Sequence, residues 1–268
     1  MIEFSYNNLI THFIAPDILQ VTLNRPDLHN AFNEELISEL SDLGTKLTTN
    51  NDIRIVVLTG SGRSFCAGAD LNWMKKTKSF TFEENEKDAI NLGTMFHILD
   101  ELPQAIIGRI NGSAIGGGTG LVSICDISVA VEQAKFAFSE VNLGLIPAVI
   151  SPFVINKIDF HNAREFFLTG ERFDANKACS IGLVNYTVKD ETELDQKVKY
   201  LINQLYSSGP SAIKEAKHLI RTIQDKNMKS LLGITSQKIA SIRVSSEAQE
   251  GISSFLEKRK PNWIKKLD

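Results

Sequence analysis

Apolar positions along this chain switch between two periods. Residues Ile18–Leu23 (ILQVTL) carry a strand pattern that stops at Asn24-Arg25-Pro26. Asn33 is placed to cap a helix, with Glu34 and Glu35 in its first turn. Leu36, Ile37, Leu40, Leu43 and Leu47 then recur at helical spacing. Ile53–Thr59 (IRIVVLT) is a short apolar run, as expected of a strand buried on both faces, and Gly60-Ser61-Gly62 ends it. After the loop Ser64–Asp70, the polar stretch Lys75–Lys87 reads as a mobile surface loop and helix start. A helix over Ala89–Leu99, a strand over Gln104–Ile110, a helix around Leu121–Cys125 and a strand over Ile127–Val131 follow.

Repeated strand–helix alternation predicts an α/β core. From Glu191 onward the strand patterns stop. Asp190–Leu205, Ala212–Ile223, Lys229–Val244 and Glu247–Lys258 read as consecutive helices, with a hinge at Ser207-Ser208-Gly209-Pro210. The expected organisation is a core over residues 1–206 and a helical region over 207–268. The apolar faces of that region need cover from the core or from another subunit.

Composition narrows the function classes. The chain has 268 residues, 43% of them hydrophobic, which is enough for a sizeable core. Its 29 Lys+Arg against 32 Asp+Glu give a net charge of −3, without the basic excess of a nucleic-acid binder. No apolar run approaches the ~18–20 residues of a membrane span. The start, MIEFSYNNLITHFI, lacks the basic-then-apolar order of a signal peptide. Cys66, Cys125 and Cys179 form no Cys-x-x-Cys pair and fit small core positions in a reducing, cytoplasmic setting. The histidines show no metal-ligand spacing, so no metal is expected.

Glycine is where composition becomes local. Of 17 glycines, Gly112, Gly116, Gly117, Gly118 and Gly120 share one short window. That window lacks the third glycine of a dinucleotide fingerprint, and no Gly-Lys-Ser/Thr follows it as in a P-loop. Two readings stand open. It is a tight strand-to-helix connection, or it bares backbone N–H groups at a helix N-terminus to a developing anion. The small residues of Ser64–Leu71, also just after a buried strand, allow the same alternatives.

Four blocks of sequence resemble the enoyl-CoA hydratase/isomerase, or crotonase, superfamily. They are Asn24-Arg25-Pro26 with Asn30-Ala31; Phe65–Leu71; Asn111–Ile127; and Phe136–Pro147 continuing to Leu168-Thr169-Gly170. Ala178, Gly182-Leu183-Val184 and Phe255–Lys260 extend the match over essentially the whole chain. The resemblance implies a spiral of ββα units with a C-terminal helical region that builds trimers, or dimers of trimers. It implies an acyl-CoA thioester as substrate and no tightly bound cofactor. An oxyanion hole would form from the backbone N–H groups of Ala69 and Gly117. Acyl-CoA contacts would fall at Asp27, Leu28 and His29, at Ala67–Leu71 including Asp70, and at Phe255 and Lys258, in part on a neighbouring subunit's ligand.

Carboxylates separate the chemistries within the superfamily. Many hydratases of this kind carry two glutamates. The second is matched by Glu140, but Gly120 stands at the position of the first. Glu140 lies between Phe138 and Leu143. Burial there would raise its pKa and suit it to proton transfer; a carboxylate satisfied by a helix terminus or an arginine is the other reading. One carboxylate serves a hydratase or a Δ3,Δ2-enoyl-CoA isomerase, and a non-catalytic acyl-CoA-binding subunit is the reading outside catalysis. The run Gly144–Ile155 and Phe167–Asp174 look like the bacterial branch assigned to methylglutaconyl-CoA hydratase of leucine breakdown. On that reading Gly120 leaves room for a 3-methyl branch, and Lys75, Lys76 or Arg109 is placed to meet a substrate carboxylate.

Overall fold

The computed structural model describes residues 4–224 and 227–267. The chain divides into two compact units, Met1–Val198 and Lys199–Asp268.

The first unit is built on two sheets. Strands β1 (Leu9–Ala15) and β2 (Ile18–Leu23) form an antiparallel hairpin with Leu9 opposite Leu23. The remaining strands of that sheet run parallel to β2: β3 (Ile55–Gly60), β5 (Ala105–Ile110), β7 (Ile127–Val131) and β10 (Tyr186–Val188). The order is β1-β2-β3-β5-β7-β10. Every residue of β3 is buried, which explains its lack of alternation.

Each of β3, β5 and β7 hands the chain to a three-residue strand of a second sheet. These are β4 (Ser64–Cys66), β6 (Ser113–Ile115) and β8 (Lys135–Ala137), mutually parallel, with β9 (Phe173–Asp174) antiparallel to β8. A helical segment follows each short strand, so the unit is a spiral of ββα repeats.

The helices follow from local chemistry. The Asn33 side chain accepts the Leu36 N–H at 2.9 Å and starts α1 (Glu34–Thr48), whose buried stripe includes Leu36, Ile37, Leu40, Leu43 and Leu47. Helix α2 (Leu71–Thr77) is capped by Asp70, and α3 (Phe82–Asp100) opens on a reciprocal capping box between Thr81 and Glu84. The polar stretch Lys75–Lys87 is therefore mostly helical, a correction to the expected loop. Its polarity reflects exposure, because α3 buries only Met95, Phe96 and Leu99. Helix α4 (Gly117–Ser123) starts ahead of the expected Leu121, since packing overrides the poor helix propensity of its glycines. A 3-10 turn (Ser139–Leu143), α5 (Ser151–Thr169) and α6 (Ala175–Ser180) complete the set before α7 (Glu191–Ser207).

The second unit holds the end of α7 with α8 (Pro210–Ile223), α9 (Met228–Arg243) and α10 (Ser246–Leu256). The division falls within α7, while Ser207–Pro210 marks the break between α7 and α8. The Glu247 carboxylate accepts the Ser211 and Ala212 N–H groups at 3.0 and 2.8 Å, pinning the start of α8. Among the described residues, no helix is long and apolar enough to cross a membrane.

Candidate active site

The short parallel strands put three distant segments side by side. Cys66 registers with Ala114, and Ala114 with Phe136, so the residues after β4, β6 and β8 leave from one edge. Ligands of parallel α/β sheets collect outside such strand ends.

The first segment is Ala67–Leu71. Its backbone is stitched to the turn before α1: Ala67 N–H donates to His29 O (2.9 Å), Phe32 N–H to Gly68 O (2.6 Å), and Asp70 N–H to Phe32 O (2.8 Å). Ala69 sits between these bonds, exposed, and among the described residues its own N–H donates to no carbonyl. Gly68 has φ +86°, and a Cβ there would lie 2.7 Å from Ile115 O. Only glycine meets both demands.

Asp70 closes the segment. It accepts from Arg25 Nη2 (2.8 Å) and from the Asn72 and Trp73 N–H groups at the α2 terminus (2.7 and 3.4 Å). Arg25 also donates to Ala31 O. Burial alone would raise the Asp70 pKa, but these donors and the guanidinium charge hold it below the usual value. Asp70 thus orders the loop from below.

The second segment is Gly116–Gly120. Gly116 N–H donates to Ala137 O (2.8 Å), and Thr119 Oγ1 to Ala114 O and Ala137 O (2.7 and 3.1 Å), tying the start of α4 to β6 and β8. A Cβ at Gly118 would lie 2.1 Å from Cys66 O, so the two segments meet backbone to backbone. As the first residue of α4, Gly117 has no intrahelical acceptor for its N–H, and no other is found among the described residues. Ala69 and Gly117 therefore present two unspent donors from adjoining segments.

Glu140 supplies the opposing group. It stands in the first turn of the 3-10 segment, just after Phe138, which is fully buried. Its carboxylate abuts Gly116 closely enough that a Cβ there would lie 2.9 Å from Oε1. Glu140 Oε2 is buried and has no hydrogen-bond partner. Burial raises the Glu140 pKa above its ordinary value, against a smaller lowering by its own backbone N–H. Among the described residues, no arginine pairs with it.

A family model described as "Enoyl-CoA hydratase/isomerase" matches residues 14–266. This chain belongs to the enoyl-CoA hydratase/isomerase family. It is an enzyme of the crotonase fold. An enoyl-CoA hydratase structure from Shewanella pealeana superposes with a TM-score of 0.91 at 40% identity, covering 96% of each chain. The 2,3-dehydroadipyl-CoA hydratase of Escherichia coli K12 is 31% identical over 92% of this chain and 94% of its own. The crotonyl-CoA hydratase of Syntrophomonas wolfei is 30% identical over 91% and 93%.

Within this crotonase frame, Ala67, Ala69, Gly117 and Glu140 are gathered by the short strands. Asp27 and Leu28 lie exposed on a 3-10 turn that His29 ends with φ 51°. His29 Nδ1 lies 3.0 Å from Ser64 Oγ, and its Nε2 lies 3.1 Å from Arg63 Nη2. Leu71 is 73% exposed. Phe255, 82% exposed, and Lys258, with φ 54°, belong to the second unit.

Two expectations are corrected. The space beside Gly120 is not vacant: a Cβ there would lie 2.5 Å from Ile150 Cγ2 and 3.0 Å from Phe96 Cζ. Two of the three candidate cations are also committed elsewhere. Arg109 pairs with Asp195 (2.7 Å) and Glu191 (3.4 Å), and Lys76 with Glu34 (2.7 Å), while Lys75 is exposed on α2.

Sequence reasoning missed Phe32, Phe96 and Ile150. Phe32 bridges to the Ala69 backbone and lies so close to Gly117 that a Cβ there would be 3.0 Å from its ring. Its placement directly before the helix-capping Asn33 is the one signal that marked it. Cys66, beside this site, is inert: burial pushes its thiol pKa up to about 12.

Proposed function

We propose that the protein catalyses the reversible hydration of an enoyl-CoA thioester, with Glu140 as its single proton-transfer group. The observation that carries this reading is the buried, unpartnered Glu140 Oε2 near the unspent Ala69 and Gly117 donors. The thioester oxygen sits between the two N–H groups. Glu140 takes a proton from water as the hydroxyl bonds to C3, and the C2–C3 π pair moves through the carbonyl to that oxygen. The enolate so formed is held by both donors. Collapse of the enolate takes the proton from Glu140 to C2 and restores the carboxylate. Burial favours the neutral acid halfway through this cycle, which suits a group that must both accept and donate.

The CoA portion runs along Asp27–His29 and Ala67–Leu71 in this proposal. The protein works as a homotrimer or dimer of trimers, in which Phe255 and Lys258 reach the ligand. The acyl chain is a branched one of the 3-methylglutaconyl type, a reading supported by the Gly144–Ile155 run. With Arg109 and Lys76 committed, any partner for a substrate carboxylate lies among other residues.

A second reading has its own support. The filled space at Gly120 leaves one carboxylate, and one suffices for a Δ3,Δ2-isomerase that removes a proton at C2 and returns it at C4. Purified full-length protein assayed with crotonyl-, 3-methylglutaconyl- and 3-hexenoyl-CoA separates the cases. Water addition to 3-methylglutaconyl-CoA, abolished in Glu140→Gln with binding retained, is the expected result. Conversion of 3-hexenoyl-CoA alone overturns hydration. Tight binding without turnover of any ester overturns catalysis.

A further inference from the structure

Gly120 lies one helical turn past Gly116, to whose carbonyl its N–H donates at 3.1 Å. At 100° per residue, a side chain at 120 would project about 60° from one at 117, on the same side of α4, where Phe32 lies at 117 and Phe96 at 120. Position 116 faces the Glu140 carboxylate, and position 117 carries an unspent N–H. Whatever occupies the space at 120 therefore forms a floor under the α4 terminus, which carries the Gly117 donor and abuts Glu140. Ile150 and Phe96 occupy it, and their side chains are 3% and 0% exposed.

Both residues are held from outside α4. Ile150 caps the N-terminus of α5, and Phe96 comes from α3. Phe96 is wedged between Phe32 (ring centroids 6.2 Å) and Phe153 (5.7 Å). A Cβ at Gly93, one turn before Phe96, would lie 3.6 Å from Val149 Cγ1, so α3 rests on the loop that delivers Ile150. The floor is a packed unit of three elements with no polar atom among its side chains.

We propose that Ile150, backed by Phe96, is a specificity-determining residue that sets the depth of this floor. On its own side of C3 it admits only a small apolar substituent such as a methyl, and it excludes a second carboxylate at position 120 by volume. This rests on the hydration reading above. It adds that the single-carboxylate site is enforced in trans by Ile150, so that Gly120 is a consequence of the floor.

The test compares five full-length proteins: wild type, Ile150→Ala, Ile150→Gly, Gly120→Glu and Gly120→Glu/Ile150→Gly. Each is checked for folding by circular dichroism and for binding of a non-reacting acyl-CoA. Ile150→Ala should improve kcat/KM for trans-2-octenoyl-CoA relative to crotonyl-CoA at least tenfold, mainly through KM. Gly120→Glu alone should lose solubility or fall at least tenfold on every substrate. The double variant should recover folding and exceed Ile150→Gly, made as its control, at least tenfold on crotonyl-CoA. A selectivity unchanged within twofold in folded Ile150→Ala overturns the floor. A folded Gly120→Glu that matches wild-type turnover, or a folded double variant no better than its control, overturns the steric exclusion. Loss of all turnover in Glu140→Gln, measured in parallel, tests the underlying reading independently of these ratios.

Discussion

The two segments that supply the backbone donors differ in what most constrains them. Ala67–Leu71 adds a side-chain clamp to its backbone bonds: Arg25 and Asp70 pair at 2.8 Å with 12% and 5% exposure, and Asp70 caps α2. Gly116–Gly120 is fixed by missing side chains, because Cβ atoms at 116, 118 and 120 would strike Glu140, Cys66 and Ile150. The first can be loosened by deleting atoms and the second by adding them. Substrate-facing geometry at Ala69 thus depends on electrostatics, and at Gly117 on excluded volume.

Glu140 faces the glycine segment alone, and its removal gives the largest effect. Glu140→Gln should lower kcat by about 10²–10⁴-fold with acyl-CoA binding retained. Steady-state kinetics beside calorimetric binding checks it, and a loss confined to KM would contradict it. Next comes the side-chain clamp. Arg25→Ala leaves the Asp70 charge buried without its ion-pair partner and should cost about 3 kcal/mol in urea unfolding. Asp70→Asn keeps a capping acceptor and leaves no buried carboxylate charge, so it should cost less; equal losses would assign the effect to the lost Arg25 contact and not to an unpaired charge.

The opposite operation follows. Gly116→Ala forces a side chain into φ 52° and toward Glu140 Oε1, and should destabilise by about 1–3 kcal/mol. Because the added methyl pushes on the carboxylate, kcat should fall more than Tm alone explains. The smallest effect is a displacement in pH. The raised Glu140 pKa places the acid limb of kcat/KM above the ordinary 4.5 of a free glutamate. The folded protein then holds this proton more tightly than the unfolded chain does. Stability due to Glu140 declines as pH rises from 4.5 through the raised value. Glu140→Gln should therefore gain Tm over wild type across that interval and show no gain below it.

Periodicity made the larger elements legible. The Leu36-to-Leu47 stripe and the capping Asn33 marked α1, and the apolar run ending at Thr59 marked β3, because burial of one face or two leaves a readable period. Strands β4, β6 and β8 are three residues each, too short for any period, yet they gather the site. Glu140 was found through its resemblance to a family position and its apolar neighbours. The fate of Gly120 was not legible, because a glycine does not state which distant residue fills its place. Ile150 comes from thirty positions away along the chain, and only packing reveals it. Arg109 and Lys76 misled for the same reason: their partners Asp195 and Glu34 are remote in sequence.

The short parallel strands also govern when the site can exist. Ser64–Cys66, Ser113–Ile115 and Lys135–Ala137 pair with one another across long intervening stretches, and parallel pairs cannot be closed by local hairpins. Such non-local closures are slow steps of folding. The donors and Glu140 meet only after both pairings are made. On refolding from denaturant, helical signal should return before thioester turnover does, so recovered activity reports the last closure of the chain.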